Sequence, residues 1–278
     1  MNWIIFALIS ALATGVIATV HRKVMLKGDP FSYAFIEQCI VTVLFIPFVI
    51  ANFKFELTGT SFILILLSAF LWTLIVIIGH YGYKYADASI KSIINQSKIV
   101  FTLLFAVLFL KETVTLITFL GTALIFGGLA VLTFSKKENL LTKGIIFTLI
   151  SAAITGLVTV IDKAALFYTN PETLGFLLFG IPALFMSVYV AQNKTELKTT
   201  FFDHKKYILL MSVLSITAFY FTLKTLSVVE ASTAYPLLRA SPVFTFIVGF
   251  IWLKERSHIG RKIASLIITT VGIVLLSL

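Results

Sequence analysis

Long, uninterrupted apolar segments recur along the whole of this 278-residue chain. Residues 61–78 contain no charged side chain, and their apolar residues follow one another instead of alternating with polar ones. A helix needs about 20 such residues to cross a bilayer, whereas the strands of a membrane barrel alternate apolar and polar residues. Because 59% of the chain is hydrophobic and only 12% is charged, against roughly 25% charged in soluble domains, the sequence predicts an all-α membrane protein and excludes a water-soluble enzyme.

Clusters of charged and turn-forming residues divide the apolar sequence into ten segments. We predict ten transmembrane helices, at residues 3–20, 31–50, 61–79, 88–110, 114–134, 144–162, 173–190, 207–223, 231–253 and 259–278. The connections between them are too short to hold a soluble domain. The first segment lacks the positively charged start of a signal peptide, so we expect it to remain as a helix of the protein.

A segment near the start of the chain occurs again in its second half. Residues 4–15, IIFALISALATG, match residues 145–156, IIFTLISAAITG, at nine of twelve positions. Further matches keep the same order and nearly the same offset: Asp29-Pro30 with Asn170-Pro171, Ala88-Ser89 with Ala231-Ser232, and Leu110-Lys111-Glu112 with Leu253-Lys254-Glu255. An internal repeat determines the architecture before any other feature. We therefore predict two repeats of five helices, residues 1–138 and 139–278.

Five is an odd number of spans, so the second repeat must enter the membrane from the opposite side to the first. Inverted repeats of this kind are a construction of secondary transporters, whose binding site lies near the middle of the membrane between the repeats. The alternatives are a duplicated membrane scaffold or lipid-processing protein without transport, and a channel.

Both repeats also carry small residues one turn apart, Ala11 with Gly15 and Ala152 with Gly156, a spacing that lets two helices approach closely.

The basic residues are distributed unequally between the two sides of the predicted membrane. The connections after odd-numbered helices hold fifteen Lys and Arg residues, and those on the other side hold four, namely Lys54, Lys111, Lys163 and Lys224. Because cytoplasmic loops carry the excess of Lys and Arg, this count places both termini outside the cytoplasm.

The repeat starts, Ser10 to Gly15 and Ser151 to Gly156, resemble those of the drug/metabolite transporter superfamily, and within it the EamA-like ten-helix permeases. The stretch from Ala231-Ser232 through Ser241-Pro242 to Leu253-Lys254-Glu255 carries the same resemblance. The chain departs from the family pattern in having Thr14-Gly15 where Trp-Gly is common, and Ile99 where the counterpart of Pro242 would stand.

The resemblance implies a multi-pass permease of the inner (plasma) membrane that exports a small metabolite, with the end of the third helix, at His80 and Tyr81, facing the cavity. An interfacial aromatic belt formed with Tyr83 and Tyr85 is the other interpretation of that helix end. Relatives are described with cytoplasmic termini, against the loop count.

Four ionisable residues fall within predicted spans: Glu37, Lys91, Lys98 and Arg239. Such residues are costly in lipid and normally face an interior cavity. The spacing of Lys91, Asn95, Lys98 and Thr102 places them on one stripe of the fourth helix, and Ser232, Tyr235, Arg239 and Pro242 form a similar stripe on the ninth. We expect the candidate substrate-binding residues to be Glu37, His80, Tyr81, Lys91, Asn95, Gln96, Lys98, Tyr235, Arg239 and Ser241.

The cations of this set outnumber its one carboxylate, so the expected cavity is positively charged. An amino acid or organic anion would supply the missing negative group. Glu37 has two interpretations, a structural ion pair with Lys98 or Arg239, or a carboxylate that couples transport to protons. Lys91 lies one turn from its helix end and either extends to the headgroups or lines the cavity. Pro236 and Pro242 predict local unwinding of the ninth helix, although a kink without a binding role gives the same pattern.

Several classes of function lack their sequence signals. There is no phosphate-binding G-x-x-x-x-G-K-[ST] loop, and the four histidines, His21, His80, His204 and His258, are too far apart in sequence to form a metal motif. We predict no enzyme activity, no cofactor and no nucleic-acid partner. The expected partners are a small-molecule substrate, membrane lipid and, as a candidate coupling ion, protons, with the protein either a monomer or a homodimer.

Overall fold

The computed structural model describes residues 2–110, 115–133, 142–226, 238 and 240–276. These residues form eleven helices: α1 Asn2–Met25, α2 Pro30–Ala51, α3 Gly59–Tyr85, α4 Ala88–Ile94, α5 Ser97–Leu110, α6 Leu116–Thr133, α7 Lys143–Ala165, α8 Pro171–Gln192, α9 Lys194–Leu226, α10 Ser241–Trp252 and α11 Ile259–Leu276. Helices α4 and α5 share the predicted fourth span, and α10 lies in the predicted ninth. The all-α prediction is confirmed.

Five of these helices are long and apolar enough to cross a membrane: Trp3–Met25, Pro30–Ala51, Gly59–Tyr85, Lys143–Asp162 and Pro171–Gln192. Shorter apolar helices occur at Phe119–Gly128 and Ser241–Trp252. Their outward side chains are large and apolar, among them Phe62, Ile63 and Leu184, which are more than half exposed. An apolar surface of this extent is suited to contact with lipid and not with water.

The repeats begin their second helices in the same way. Asp29 precedes Pro30 and its carboxylate accepts a hydrogen bond from the backbone N–H of Ser32, at 2.7 Å. Asn170 precedes Pro171 and its side-chain oxygen accepts one from the N–H of Thr173, at 3.0 Å. Both cases combine a side-chain N-cap with proline in the first turn. The matched dipeptides of the sequence are therefore matched helix starts.

The two repeats run in opposite directions through the bundle. The connection after α1 and the connection between α10 and α11 lie at one end, here called the basic end. There Arg22 of α1 donates to the carbonyls of Tyr83 and Lys84 at the end of α3, both at 2.7 Å, and Lys262 Nζ of α11 lies 2.8 Å from Asp87 Oδ2. The connections after α2 and α7 lie at the other end, here called the far end, where the N–H of Glu56 donates to the carbonyl of Tyr168 at 2.7 Å. Helix α1 thus ends at the basic end, while its counterpart α7 ends at the far end, as the inverted repeat predicts.

The most extensive helix contacts recur when the repeats are exchanged. The pair α1 and α9 corresponds to α7 and α3, the pair α1 and α10 to α7 and α5, and the pair α2 and α9 to α8 and α3, and all six contacts are present. The pairs α2 with α8 and α6 with α11 each correspond to themselves and are also in contact. The fold is therefore two interlocked five-helix repeats related by a pseudo-twofold.

The predicted small-residue contacts are confirmed at Gly15 and Gly156. A Cβ atom placed on Gly15 would lie 2.6 Å from the Cβ of Phe244 in α10, and one on Gly156 would lie 2.6 Å from the Cβ of Phe101 in α5. Real Cβ atoms do not approach this closely, so each site accepts only glycine at the present helix separation. The first helix of each repeat therefore packs closely on a helix from the fourth span of the other repeat.

The fourth span is broken, which the continuous apolar pattern did not predict. Helix α4 ends at Ile94, and the N–H groups of Gln96 and Lys98 donate to the carbonyls three residues before them, Ile93 and Asn95, at 3.0 and 3.2 Å. These tighter bonds replace the regular α-helical pattern over a short polar stretch, where Asn and Ser side chains compete for backbone groups. The stripe from Lys91 to Thr102 is therefore interrupted between α4 and α5.

In the second repeat a helix begins at the equivalent place. Helix α10 begins at Ser241, so Pro242 lies in its first turn and not in a helix interior. In that position proline removes no helical hydrogen bond. The expected unwinding before Pro242 is therefore seen as a helix start, while Pro236 lies outside the described residues.

Helix α9 begins at Lys194, thirteen residues before the predicted start at residue 207. Its 33 residues span about 50 Å at 1.5 Å each, more than the hydrocarbon thickness of about 30 Å. The polar stretch 194–206 therefore extends the helix beyond the membrane at the basic end. The sequence pattern predicts a loop here, because the part of a helix that lies outside the membrane carries polar residues and shows no apolar pattern.

Candidate functional site

Three ionisable side chains from three different helices meet inside the first repeat. Glu37 of α2 lies between His21 of α1 and His80 of α3, and its Oε2 atom is 3.2 Å from the Nε2 atom of each ring. All three residues are buried: His21 is 9% exposed, Glu37 is 7% exposed and His80 is 4% exposed. We call these three residues the His–Glu–His cluster.

Helix lengths place the three residues at a similar depth. His21 comes four residues before the end of α1, and His80 comes five before the end of α3. Glu37 lies seven residues after the start of α2, about 10 Å along the axis at 1.5 Å per residue. All three helix ends lie at the basic end, so the cluster is about one to two helical turns inside it.

Aromatic rings enclose the cluster. Tyr33 is fully buried, with its ring centroid 5.7 Å from that of His21 and 5.3 Å from that of His80. The Tyr83 ring lies edge-on to His21 at 5.0 Å. On the other side, Met211 of α9 brings its Sδ atom within 3.1 Å of His21 Nε2. The cluster is therefore shielded from solvent, and α9 of the second repeat forms part of its surroundings.

Lys91 lies beside the cluster and is 5% exposed. Its ammonium group lies 3.7 Å from the centroid of the Tyr83 ring, a cation–π contact. A Cβ atom on Gly82 would be 2.9 Å from Lys91 Cε, so the absence of a side chain at Gly82 makes room for the lysine. Lys91 is thus enclosed by protein and is not extended to the headgroups.

The other predicted residues lie in three places. Asn95, Gln96 and Lys98 lie at the break between α4 and α5, with Gln96 buried and the other two half-buried. Ser241 is buried at the start of α10, where its carbonyl accepts a hydrogen bond from Thr245 at 3.0 Å. Tyr235 and Arg239 lie outside the described residues.

Tyr81 points away from the cluster and packs with the rings of Tyr85 and Phe147, at 6.4 and 5.6 Å. This arrangement supports the interpretation of Tyr81 and Tyr85 as aromatic residues near the interface. Tyr83, on the opposite side of α3, packs against the His21 ring of the cluster instead.

The sequence predicts that Glu37 pairs with Lys98 or Arg239. In the described part of the chain its carboxylate contacts His21 and His80, and Arg239 lies outside that part. The histidines are far apart in sequence and were not expected to meet, although the rings of His21 and His80 have centroids 4.8 Å apart in the fold. The repeat alignment contained a signal, since it places His21 opposite Asp162 at an offset of 141.

Asp162 occupies the equivalent position near the far end. Its carboxylate accepts hydrogen bonds from the hydroxyl of Ser68 and from the indole N–H of Trp72, the latter at 3.1 Å. Ser68 is the counterpart of Met211 at an offset of 143. The pseudo-twofold therefore relates a polar contact near each end of the bundle, His21 with Met211 at one and Asp162 with Ser68 at the other.

Among the residues that the structure describes, two cavities open at the basic end. The larger, about 330 Å³, lies beside the start of α2 and is lined by both signs of charge, including Lys27, Asp29, Glu196 and His204. The smaller, about 170 Å³, lies where α3 is followed by α4, beside Asp87 and Ser257. Both are at the surface, outside the His–Glu–His cluster.

Comparison with known proteins agrees with this architecture. The sequence profile of the EamA-like transporter family matches residues 1–134 and, separately, residues 142–278. A solved structure described only as "Crystal structure of protein" is similar over 99% of this chain and 96% of its own, with a TM-score of 0.61 and 11% sequence identity. That likeness concerns the fold alone. No curated protein sequence matches the chain significantly.

Proposed function

Because this chain belongs to the EamA-like transporter family, we propose that it is a secondary transporter that exports a small metabolite with a negative group, an amino acid or an organic anion. In this proposal the two units, residues 1–138 and 139–278, move by alternating access around a positively charged central cavity. The protein spans the inner (plasma) membrane, with the basic end in the cytoplasm and both termini outside.

The exchange symmetry of the helix contacts is the observation that carries this proposal. Each repeat packs on the other through corresponding helices, such as α1 on α9 and α7 on α3. If each repeat adopts the conformation of the other, the same types of contact form again, but the opening faces the opposite side of the membrane. Such a pair of states of similar energy is what alternating access requires.

The buried cation Lys91 supports an anionic substrate. In the described part of the chain its ammonium group meets the Tyr83 ring and pairs with no carboxylate. A charge at membrane depth is costly, about 2.5–3.5 kcal/mol on insertion scales, and a negative group on the substrate would offset part of that cost. Lys98 and Arg239 add further positive charge, while Asn95, Gln96, Tyr235 and Ser241 would supply hydrogen bonds that orient the substrate.

Glu37 is the candidate for coupling to protons. It is the one carboxylate among the proposed site residues, and it contacts two imidazoles that can carry a proton. A proton held within the His–Glu–His cluster would be shared by α1, α2 and α3, so its arrival or loss would act on three helices of one repeat. The cluster lies at the basic end, from which an exported substrate would enter.

Flux into proteoliposomes tests the proposal. Purified protein is reconstituted, and counterflow of labelled anionic amino acids and small organic acids is followed in the wild type and in Arg239→Gln. A matched control is Lys205→Gln, which removes the same charge from an exposed position of α9. We expect saturable flux in the wild type and the control and its loss in Arg239→Gln.

Three results would contradict the proposal. Normal flux in Arg239→Gln would contradict substrate binding by a positively charged cavity. Flux that never saturates would indicate a channel. Absence of flux with every solute tested would indicate a scaffold or a lipid-processing protein.

A further inference from the structure

We propose that the His–Glu–His cluster binds one divalent transition-metal ion through His21 Nε2, His80 Nε2 and a Glu37 carboxylate oxygen. The site would join α1, α2 and α3 of the first repeat near the basic end. Two imidazoles and one carboxylate form a set of three protein ligands that proteins use for zinc with a fourth position left open. The inference rests on the geometry of the cluster and does not depend on transport.

The spacing of the ligand atoms matches a single small ion. Glu37 Oε2 is 3.2 Å from each Nε2 atom, and one ligand atom from each residue lies within 4.8 Å of the others. An ion with bonds of about 2.0–2.1 Å in tetrahedral geometry holds its ligands about 3.3 Å apart. The two separations from Glu37 match this value, and the remaining pair of ligand atoms, at most 4.8 Å apart, would shorten by up to about 1.5 Å to accept the ion.

The tautomer of His80 is fixed from outside the cluster. Its Nδ1 atom lies 2.6 Å from the carbonyl oxygen of Val76, and because a carbonyl can only accept, Nδ1 must carry the hydrogen. With the hydrogen on Nδ1, the lone pair of Nε2 is free to bind a cation placed between the ring and the carboxylate of Glu37. A backbone carbonyl bound to the second ring nitrogen is the usual support for a metal-ligating histidine.

The ligand atoms have unused bonding capacity. In the described part of the chain, Glu37 Oε2, His80 Nε2 and the hydroxyl of Tyr33 are buried without a hydrogen-bond partner. The contacts of Glu37 with the rings are therefore close enough for ion pairs but lack the direction of hydrogen bonds. Buried polar groups are nearly always satisfied, and a bound ion would satisfy the carboxylate and the imidazole together.

The donor set favours a transition metal over calcium or magnesium. Those hard cations prefer oxygen ligands, whereas imidazole suits zinc, copper and nickel. The thioether sulfur of Met211, 3.1 Å from His21 Nε2, adds a soft atom at the edge of the cluster. Lys91 acts in the opposite direction, because its ammonium group packs on the Tyr83 ring, which contacts His21, and its positive charge would repel a metal ion.

Direct metal binding tests the proposal in purified protein held in lipid nanodiscs. Co²⁺ serves as the probe because tetrahedral cobalt absorbs visible light, and Zn²⁺ is then titrated to displace it. We expect one ion per chain in the wild type. The affinity should fall by about 100-fold or more in Glu37→Gln and His80→Gln, since losing even a supporting partner of a metal ligand costs about 10–100-fold. The control His204→Gln removes a histidine outside the cluster and should bind like the wild type.

A second variant tests the metal site independently if the ligand variants do not fold. Lys91→Met removes the opposing charge while leaving all three ligands, so Zn²⁺ should bind more tightly than to the wild type. Zn²⁺ should also raise the thermal unfolding midpoint of the wild type, because an ion that binds only the folded state stabilises it. That increase should be absent in Glu37→Gln.

Several outcomes would overturn the metal site. They are no stoichiometric binding of Co²⁺ or Zn²⁺ by the wild type, equal binding by the ligand variants, and weaker binding by Lys91→Met. Absence of metal binding together with proton-dependent transport would assign the cluster to protons alone. Metal binding is measured without substrate or gradient and should persist in Arg239→Gln, so its failure is distinguishable from failure of the proposed transport.

Discussion

Glu255 of the second repeat accepts a hydrogen bond from the hydroxyl of Ser89 in the first, with the two oxygens 2.5 Å apart. The same carboxylate accepts the backbone N–H groups of Ala88 and Ser89, at 2.7 and 3.1 Å. It therefore caps the start of α4, although it is 166 residues away from Ser89 in sequence. Two motifs found by matching the repeats, Ala88-Ser89 and Leu253-Lys254-Glu255, thus bind each other across the repeats.

Loss of this cap should destabilise the protein. Glu255→Ala leaves two buried N–H groups without an acceptor, at about 1–3 kcal/mol for each unsatisfied group, so we expect the free energy of unfolding to fall by about 2 kcal/mol or more. The measurement is unfolding of purified protein in mixed micelles, followed by helical circular dichroism. Glu196→Ala, at an exposed position of α9, is the control, and equal stability of the two variants would contradict the cap.

Two adjacent glycines in α6 should respond oppositely to alanine. A Cβ atom on Gly128 would collide with the Thr269 hydroxyl and lie 3.0 Å from the carbonyl oxygen of Ser265 in α11, whereas one on Gly127 meets nothing within 4 Å. Gly128→Ala should therefore separate α6 from α11 and lower the thermal midpoint. Gly127→Ala should be neutral or stabilising by about 0.5–1 kcal/mol, because alanine favours the helix.

The comparison of these two variants is made in one membrane-protein thermal shift assay. A lower midpoint for Gly127→Ala than for Gly128→Ala would show that the contact between α6 and α11 is not the tight one described.

Acid should weaken the contact of Asp87 with Lys262. Burial alone would raise the pKa of Asp87, but the hydrogen bond and positive charge of Lys262, helped by the Ser257 hydroxyl, outweigh burial and hold that pKa below its ordinary value. A carboxyl group with a lowered pKa in the folded state stabilises the fold above its unfolded pKa of about 3.9, and this stabilisation is lost as the pH falls through the folded pKa.

The test compares thermal midpoints of the wild type and Asp87→Asn from neutral pH down to about pH 3. The wild type should be more stable at neutral pH, and the difference should shrink below about pH 4 as Asp87 takes up a proton. A difference that stays constant over this range would contradict the role of the Asp87 charge.

Room beside Gly82 should control the position of Lys91. A Cβ atom there would lie 2.9 Å from both Lys91 Cε and the Thr148 hydroxyl, so Gly82→Ala must displace the lysine from the Tyr83 ring. If Lys91 binds the substrate, KM should rise by about tenfold, which is 1.4 kcal/mol, while the protein stays folded. Gly79→Ala, one turn away on α3 with its nearest contact at 3.6 Å, is the matched control, and equal KM values for the two variants would contradict the prediction.

The repeat made most of the fold predictable. Pro30 and Pro171 start helices as their motifs indicate, and Gly15 and Gly156 mark the close crossings. The break at Asn95 and Gln96 was not predicted, because no proline marks it and its polar residues were interpreted as a stripe on one continuous helix. The early start of α9 at Lys194 was missed because a helix that leaves the membrane no longer needs apolar residues.

The candidate site was predictable only in part. Glu37 and Lys91 can be identified from the sequence, because a charged residue within an apolar segment is costly in lipid and therefore rare. The place of His21 in the cluster depends on how α1, α2 and α3 pack, and no local pattern contains that information. Tyr83 was assigned with Tyr81 and Tyr85 to one belt, although successive odd positions of a helix point in different directions.

The crossings at Gly15 and Gly156 mean that neither half of the molecule is complete by itself. The surface of α1 at Gly15 is covered by α10, and the surface of α7 at Gly156 is covered by α5. A chain holding only one repeat would expose its glycine surface and leave the helix of its fourth span without a packing partner. Such a chain could cover both surfaces only by pairing with a second copy inserted in the opposite orientation. Joining the two copies in one polypeptide makes that antiparallel encounter intramolecular and independent of how much protein the membrane contains.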